Sequence, residues 1–157
     1  MPANHQDRSL KRTEPAPASS SAKTSAALKW SVSPSREETA LLMEAGFILR
    51  EARRFSEARE VFSGVRALQP SNDVPEVALG TIAFHEGNHE AARRHYQKAL
   101  EINPKSAFAM AHLGETEIFA KNYEAARKHL KKAMEMDPRG SFGKMARGLL
   151  AIADGKK

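Results

Sequence analysis

The chain has 157 residues, 41% of them hydrophobic and 6% aromatic, with 25 Lys and Arg against 19 Asp and Glu, a net charge of +6 and a pI of about 9.7. That length suits one domain with a tail. Cysteine is absent, which excludes a disulfide framework, a thiolate metal site and a cysteine nucleophile, and no run approaches the roughly 20 apolar residues needed to cross a membrane.

Residues 1–36 differ from the rest. They carry six Lys or Arg against two Asp or Glu, a net of +4, which leaves +2 for the remainder. The run Pro15-Ala16-Pro17-Ala18-Ser19-Ser20-Ser21-Ala22 has no apolar period and cannot bury enough surface to offset its ordering entropy. A disordered basic tail is expected over 1–36. It lacks the apolar core of a secretory signal, and Pro2, Pro15 and Pro17 break any amphipathic helix a transit peptide would need. Leu28, Trp30 and Val32 alternate with polar residues just before Pro34, as either a short anchor on the folded part or a solvated linker.

From Glu37 onward the pattern is helical, and it repeats. Arg54-Phe55-Ser56-Glu57-Ala58, Asn88-His89-Glu90-Ala91-Ala92 and Asn122-Tyr123-Glu124-Ala125-Ala126 align without a gap at an offset of 34 residues. The same offset links Gly46, Gly80 and Gly114, then Phe62, Tyr96 and Leu130, then Val65, Ala99 and Ala133, then Pro70, Pro104 and Pro138. Such columns mean stacked copies of one supersecondary unit. A mid-helix Gly weakens a helix by up to about 1 kcal/mol, so three in register imply that a second helix packs closely there. The large residues at Phe62, Tyr96 and Leu130 are expected to fill the space between one pair and the next. The prolines stop the second helix of each pair, and turns fall at Arg53-Arg54, Gly87-Asn88 and Lys121-Asn122. The predicted units are 39–72, 73–106 and 107–140, within a repeat region 37–140. Phe142, Met145, Ala146, Leu149, Leu150 and Ile152 predict one more amphipathic helix over 141–154 that caps the array.

With Leu79-Gly80 or Leu113-Gly114, then Tyr123, Ala126, Ala133 and Pro138 at their spacings, the chain resembles the tetratricopeptide repeat. The fold expected is therefore all-α, a solenoid of three helical hairpins with a C-terminal capping helix and a disordered N-terminal tail. The resemblance implies a concave groove lined by the first helices. Projected onto this chain, the groove positions are Met43, Phe47 and Arg50, then Val74, Val77, Ala78, Thr81 and Phe84 with His85 at the rim, then Phe108, Ala111, His112, Glu115, Ile118 and Phe119. The members that grip a chaperone C-terminal carboxylate use Lys, Asn and Arg where this chain has Met43, Phe47, Ala78, Phe108 and His112, so that clamp is absent.

No catalytic constellation is visible. His85-Glu86-Gly87-Asn88-His89 spells a zinc-protease string, but that chemistry needs one unbroken helix, and Gly87-Asn88 is a turn. His95, His112 and His129 are read as solvated or packing residues. Neither a cofactor nor a metal is implied. Mixed charges such as Glu57-Ala58-Arg59-Glu60 read as solvated helix faces, with Glu124 and Lys128 as an i,i+4 pair. The clusters Arg93-Arg94-His95 and Arg127-Lys128-His129-Leu130-Lys131-Lys132 lack the interleaved aromatics that stack nucleic-acid bases, so nucleic acid is not the expected partner.

The expected function is non-enzymatic binding of a protein or peptide, a hydrophobic client segment, by an apolar groove in a cytoplasmic protein. From Phe55 to Pro70, at Leu79-Gly80 and at Leu113-Gly114-Glu115, the chain also resembles the small chaperones of type III secretion translocators. That resemblance implies cradling of an extended client segment and a homodimer formed through the N-terminal region. The alternative is a scaffold or assembly subunit that self-associates or holds a fixed partner.

Overall fold

Helix initiation along this chain is written in polar residues placed just ahead of apolar runs. In the computed structural model, which describes residues 34–156, seven helices follow: α1 (Arg36–Glu51), α2 (Phe55–Leu68), α3 (Val74–His85), α4 (His89–Ile102), α5 (Ala107–Phe119), α6 (Tyr123–Met136) and α7 (Ser141–Asp154). Among the described residues there is no strand. Ser35 starts α1 with a capping box, its hydroxyl accepting from Glu38 N at 3.1 Å while the Glu38 carboxylate accepts from Ser35 N at 2.8 Å. Asn88 and Ser106 cap α4 and α5 with their side chains alone, accepting from Ala91 N and Ala109 N. Helix α1 thus already begins at Arg36, the last residue assigned by sequence to the tail. The rest of that tail, with Leu28, Trp30 and Val32, lies outside the described residues.

The turns inside the pairs share one backbone device. Arg53, Gly87 and Lys121, again 34 residues apart, are the three described residues with positive φ, at 59°, 76° and 63°. The left-handed conformation ends each first helix and sends the chain back antiparallel. At Gly87 it also separates His85, the last residue of α3, from His89, the first of α4. Among the described residues no group of three His, Asp or Glu side chains could hold a metal ion.

Each pair closes around its glycine. A Cβ built on Gly46, Gly80 or Gly114 would lie 2.8 Å from the Phe62 ring, 2.8 Å from the Tyr96 ring and 2.7 Å from Leu130. Phe62, Tyr96 and Leu130 therefore fill the space within a pair, where only a bare backbone opposite leaves room for a side chain of that size, and they also join apolar clusters shared with the next pair or with α7. All three are fully buried, as are Ala58, Ala92, Ala126, Ala99 and Ala133.

The odd-numbered helices touch one another in sequence, α1 with α3, α3 with α5 and α5 with α7, whereas α2, α4 and α6 do not. That asymmetry curves the stack, with the odd helices on its inner side. Helix α7 covers the last repeat with Ala146 and Ala153, and Asp137 caps its start by accepting from Phe142 N at 3.1 Å. Among the described residues no such cover lies over α1, where Leu41 and Ile48 are 68% and 62% exposed. No described helix is long and apolar enough to cross a membrane.

Candidate functional site

The inner curve holds a cavity of about 320 Å³ between three helices. Phe47 and Arg50 come from α1, Asp73, Val74, Val77 and Ala78 from the start of α3, and Ser106 and Phe108 from the start of α5. Val74 is 39% exposed, whereas Ala78 is 1% exposed and forms floor rather than wall. The cavity is apolar at its base and polar at its mouth. Arg50 lies with its guanidinium carbon 5.2 Å from the Phe47 ring centroid and Nη2 2.6 Å from Glu51. Asp73 accepts from Asn103 Nδ2 at 3.3 Å.

Of the fifteen groove residues expected from sequence, Phe47, Arg50, Val74, Val77, Ala78 and Phe108 line this cavity. Met43 is half-buried against Phe62. Thr81 is half-buried, donating to Val77 O at 3.0 Å and accepting from the Tyr96 hydroxyl at 3.2 Å. Burial pushes that Tyr96 hydroxyl well above its ordinary pKa. Ala111 is fully buried core with no surface to offer. His112 stacks between Phe108, centroids 4.4 Å apart, and Tyr96, at 5.8 Å, with Nδ1 2.9 Å from Glu115 Oε2. Ile118 is half-buried against the apolar cluster shared by α5, α6 and α7. Phe84 and Phe119 meet edge to face at 5.1 Å, with His89 beside both, and form a separate aromatic edge where Phe119 is 57% exposed. Asp73 and Ser106 were missed by sequence because they precede the helices whose faces were projected. Their signal was positional, since each stands directly before an apolar helix.

A larger concavity of about 900 Å³ lies between the start of α6 and the end of α7, lined by Tyr123, Glu124, Arg127, Asp154 and Lys156 among others. It is a wide dish, and the site with side chains converging from three repeats is the smaller one.

The outer helices carry a second column that sequence reading took for solvated charge. Arg59, Arg93 and Arg127, again 34 apart, each reach from the second helix of one pair to the helix that follows. Arg59 pairs with Glu86, both partly exposed. Arg93 binds Glu117 of α5 through Nε at 2.7 Å and Nη2 at 2.9 Å, and also pairs with Glu90. Arg127 meets Asp154 at 3.0 Å and donates to the carbonyls of Ala153 and Lys156 at 2.7 and 2.8 Å, so it caps the end of α7. Glu124 pairs with Arg127, not with Lys128, because Arg127 is the cation held in place by those other contacts. The Glu117 carboxylate is 4% exposed as a residue. Burial by itself would raise its pKa, but hydrogen bonds from Arg93 and Asn122 hold it below the usual value. His95, read from sequence as solvated or packing, lies 2.8 Å from the fully buried Glu76, which Arg66 and Lys98 also approach at 3.5 and 3.7 Å. These carboxylates fasten neighbouring helices and so hold the groove in shape.

No curated protein sequence matches the chain. Residues 73–139 match the model of the tetratricopeptide repeat family. The structure is similar to that of the type III secretion chaperone SycD of Yersinia enterocolitica in complex with a peptide of the translocator YopD, with a TM-score of 0.71 at 17% identity over 78% of this chain and 96% of that one. The Sgt2 tetratricopeptide domain from Aspergillus fumigatus gives 0.71 at 21% identity over 80% and 82%. The first tetratricopeptide domain of Spaghetti, bound to the HSP90 peptide SRMEEVD, gives 0.70 at 17% identity over 79% and 96%. With the 34-residue columns running back through α1 and α2, these matches show the fold of the described part, a solenoid of three helical pairs of the tetratricopeptide-repeat kind closed by a seventh helix.

Proposed function

We propose that the chain is a non-enzymatic, cytoplasmic interaction module that binds an extended segment of a partner protein in its concave groove, most specifically as a chaperone of the type III translocator kind. The observation that carries this reading is the cavity of about 320 Å³ built from α1, α3 and α5. Three separate repeats contribute apolar side chains to one concavity, the usual form of a site for an apolar anchor residue. Two structurally similar proteins support the reading: one is described with a translocator peptide, the other with an HSP90 peptide.

The test is binding by variants of the cavity wall. Val74→Glu places a carboxylate at the first residue of α3, where the helix dipole favours it, so folding should be intact. Affinity for segments of a co-purifying partner should fall by about tenfold or more, as expected when an unpaired charge meets an apolar anchor. Unchanged affinity would move the interface off the groove.

Self-association is favoured by a different feature, Leu41 and Ile48 on a face of α1 that no other described helix covers. If that face joins two copies, Leu41→Asp converts a dimer to a monomer in light scattering. A mass that the substitution leaves unchanged removes this reading.

A further inference from the structure

Arg50 stands where two concavities meet. It lines the groove cavity with Phe47, Val77 and Phe108, and also a smaller concavity of about 190 Å³ with Arg53, Phe55 and His85. Its side chain is 22% exposed, while that of Glu51, its partner, is 74% exposed. Stacking on Phe47 restricts the guanidinium plane. Only Nη2 has a protein partner among the described residues, which leaves Nε and Nη1 without one. The acids nearby are otherwise engaged, Asp73 with Asn103 and Glu115 with His112. A partly desolvated guanidinium with unmet donors suits a planar carboxylate, which it can hold through two parallel hydrogen bonds.

Spacing adds a second constraint. Phe47 and Arg50 are one helical turn apart, about 5 Å along the axis. Side chains on one face of an extended chain recur every second residue, about 7 Å apart. We propose that the segment accepted by this groove carries an apolar side chain, seated in the cavity beside Phe47 and Phe108, and two residues away an aspartate or glutamate whose carboxylate is held by Arg50 in place of Glu51. The carboxylate is that of an internal side chain, because the concavity continues past Arg50 towards Arg53 and His85, so the bound chain runs on rather than ending there. This inference rests on the groove being the peptide site and adds to it which segments are chosen.

The experiment uses the full chain, isotope-labelled for NMR titration, and short peptides of a Ser/Thr background. One peptide holds Leu and, two residues on, Glu. In the others Glu becomes Gln, or Glu is removed and a free C-terminal carboxylate supplied. Glu to Gln should weaken binding to the native protein about tenfold, a typical effect for a hydrogen bond to a charged group. The same change should matter little to Arg50→Gln, with Arg50→Lys intermediate, and the terminal-carboxylate peptide should bind no better than the Gln peptide. Equal Glu-to-Gln penalties in native protein and Arg50→Gln overturn the proposal, as does terminal-carboxylate binding that matches the Glu peptide or the absence of binding by the Leu/Glu peptide. Val74→Glu separates the two levels. If it weakens all peptides while the Glu-to-Gln penalty is the same in the native protein and in Arg50→Gln, the groove stands and the carboxylate contact fails. If it weakens none, the groove reading itself fails.

Discussion

Arg93→Ala should lower the stability of the array by about 3–5 kcal/mol at neutral pH, the usual loss when one partner of a buried ion pair is removed. The reason lies with the residue left behind. Glu117 is 4% exposed, and without Arg93 only Asn122 remains hydrogen-bonded to its carboxylate, at 2.8 Å. An exposed pair would behave differently, since surface ion pairs contribute about 0–1 kcal/mol. Urea unfolding decides between them, and a loss below about 1 kcal/mol would place the Arg93 pair in the surface class.

The pH dependence gives an independent reading of the same pair. In the native protein Glu117 titrates below its ordinary value, so its contribution is complete above the unfolded carboxylate pKa of about 4.3 and is lost as pH falls through the folded value. In Arg93→Ala burial acts almost unopposed and raises the Glu117 pKa, so protonation relieves the variant as pH falls. The difference between the two proteins should therefore shrink on acidification from neutral pH to the carboxylate range. A difference that holds constant would mean that Arg93 acts through packing alone. His129 adds to acid sensitivity, because burial depresses its pKa and the folded state resists its protonation.

Tyr96→Ala should be comparably severe, about 3–5 kcal/mol for removing a fully buried aromatic. Tyr96→Phe, which deletes only the hydrogen bond to Thr81, should cost about 1 kcal/mol. The informative partner is Gly80. Alanine there favours the helix by up to about 1 kcal/mol, yet its Cβ would sit 2.8 Å from a Tyr96 ring that has no room to retreat, and overpacking costs about 1–3 kcal/mol. Gly80→Ala is therefore destabilising alone and should become neutral or stabilising once Tyr96 is Leu. A double-mutant cycle without that change of sign would show that the glycine is not there for the ring.

The Gly80–Tyr96 contact also shows what could be read without coordinates. A column of glycines at an offset of 34 residues and a column of large residues at the same offset announce a packed helical pair, and the left-handed turns at Arg53, Gly87 and Lys121 follow the same count. What stayed hidden was which partner each large residue faces. Tyr96 is expected to bridge pairs and does so by stacking on His112, but it also fills its own pair against Gly80. The arginine column was hidden for a related reason. Arg59, Arg93 and Arg127 are periodic, but Glu86, Glu117 and Asp154 follow them at 27, 24 and 27 residues, so the acids form no column of their own. At the site, Phe47, Val77 and Phe108, projected from the repeat, line one concavity, whereas Ala111 is sealed by the helices around it. Groove position along a helix is a matter of period, but the opening of the groove depends on how far adjacent pairs rotate, which no single repeat encodes.

The arginine column is uneven, and that has a kinetic meaning. Its central member is largely buried, whereas Arg59 and Glu86 both retain substantial exposure, and α1 contributes only Thr39 and Gly46 to the buried set. In a stack where each pair is held by its neighbours, such an end comes apart first and at the lowest free energy. Helix α1 is also the wall that carries Phe47 and Arg50. Among the described helices, α1 is thus where backbone amides should exchange with solvent soonest, ahead of those in the central pair.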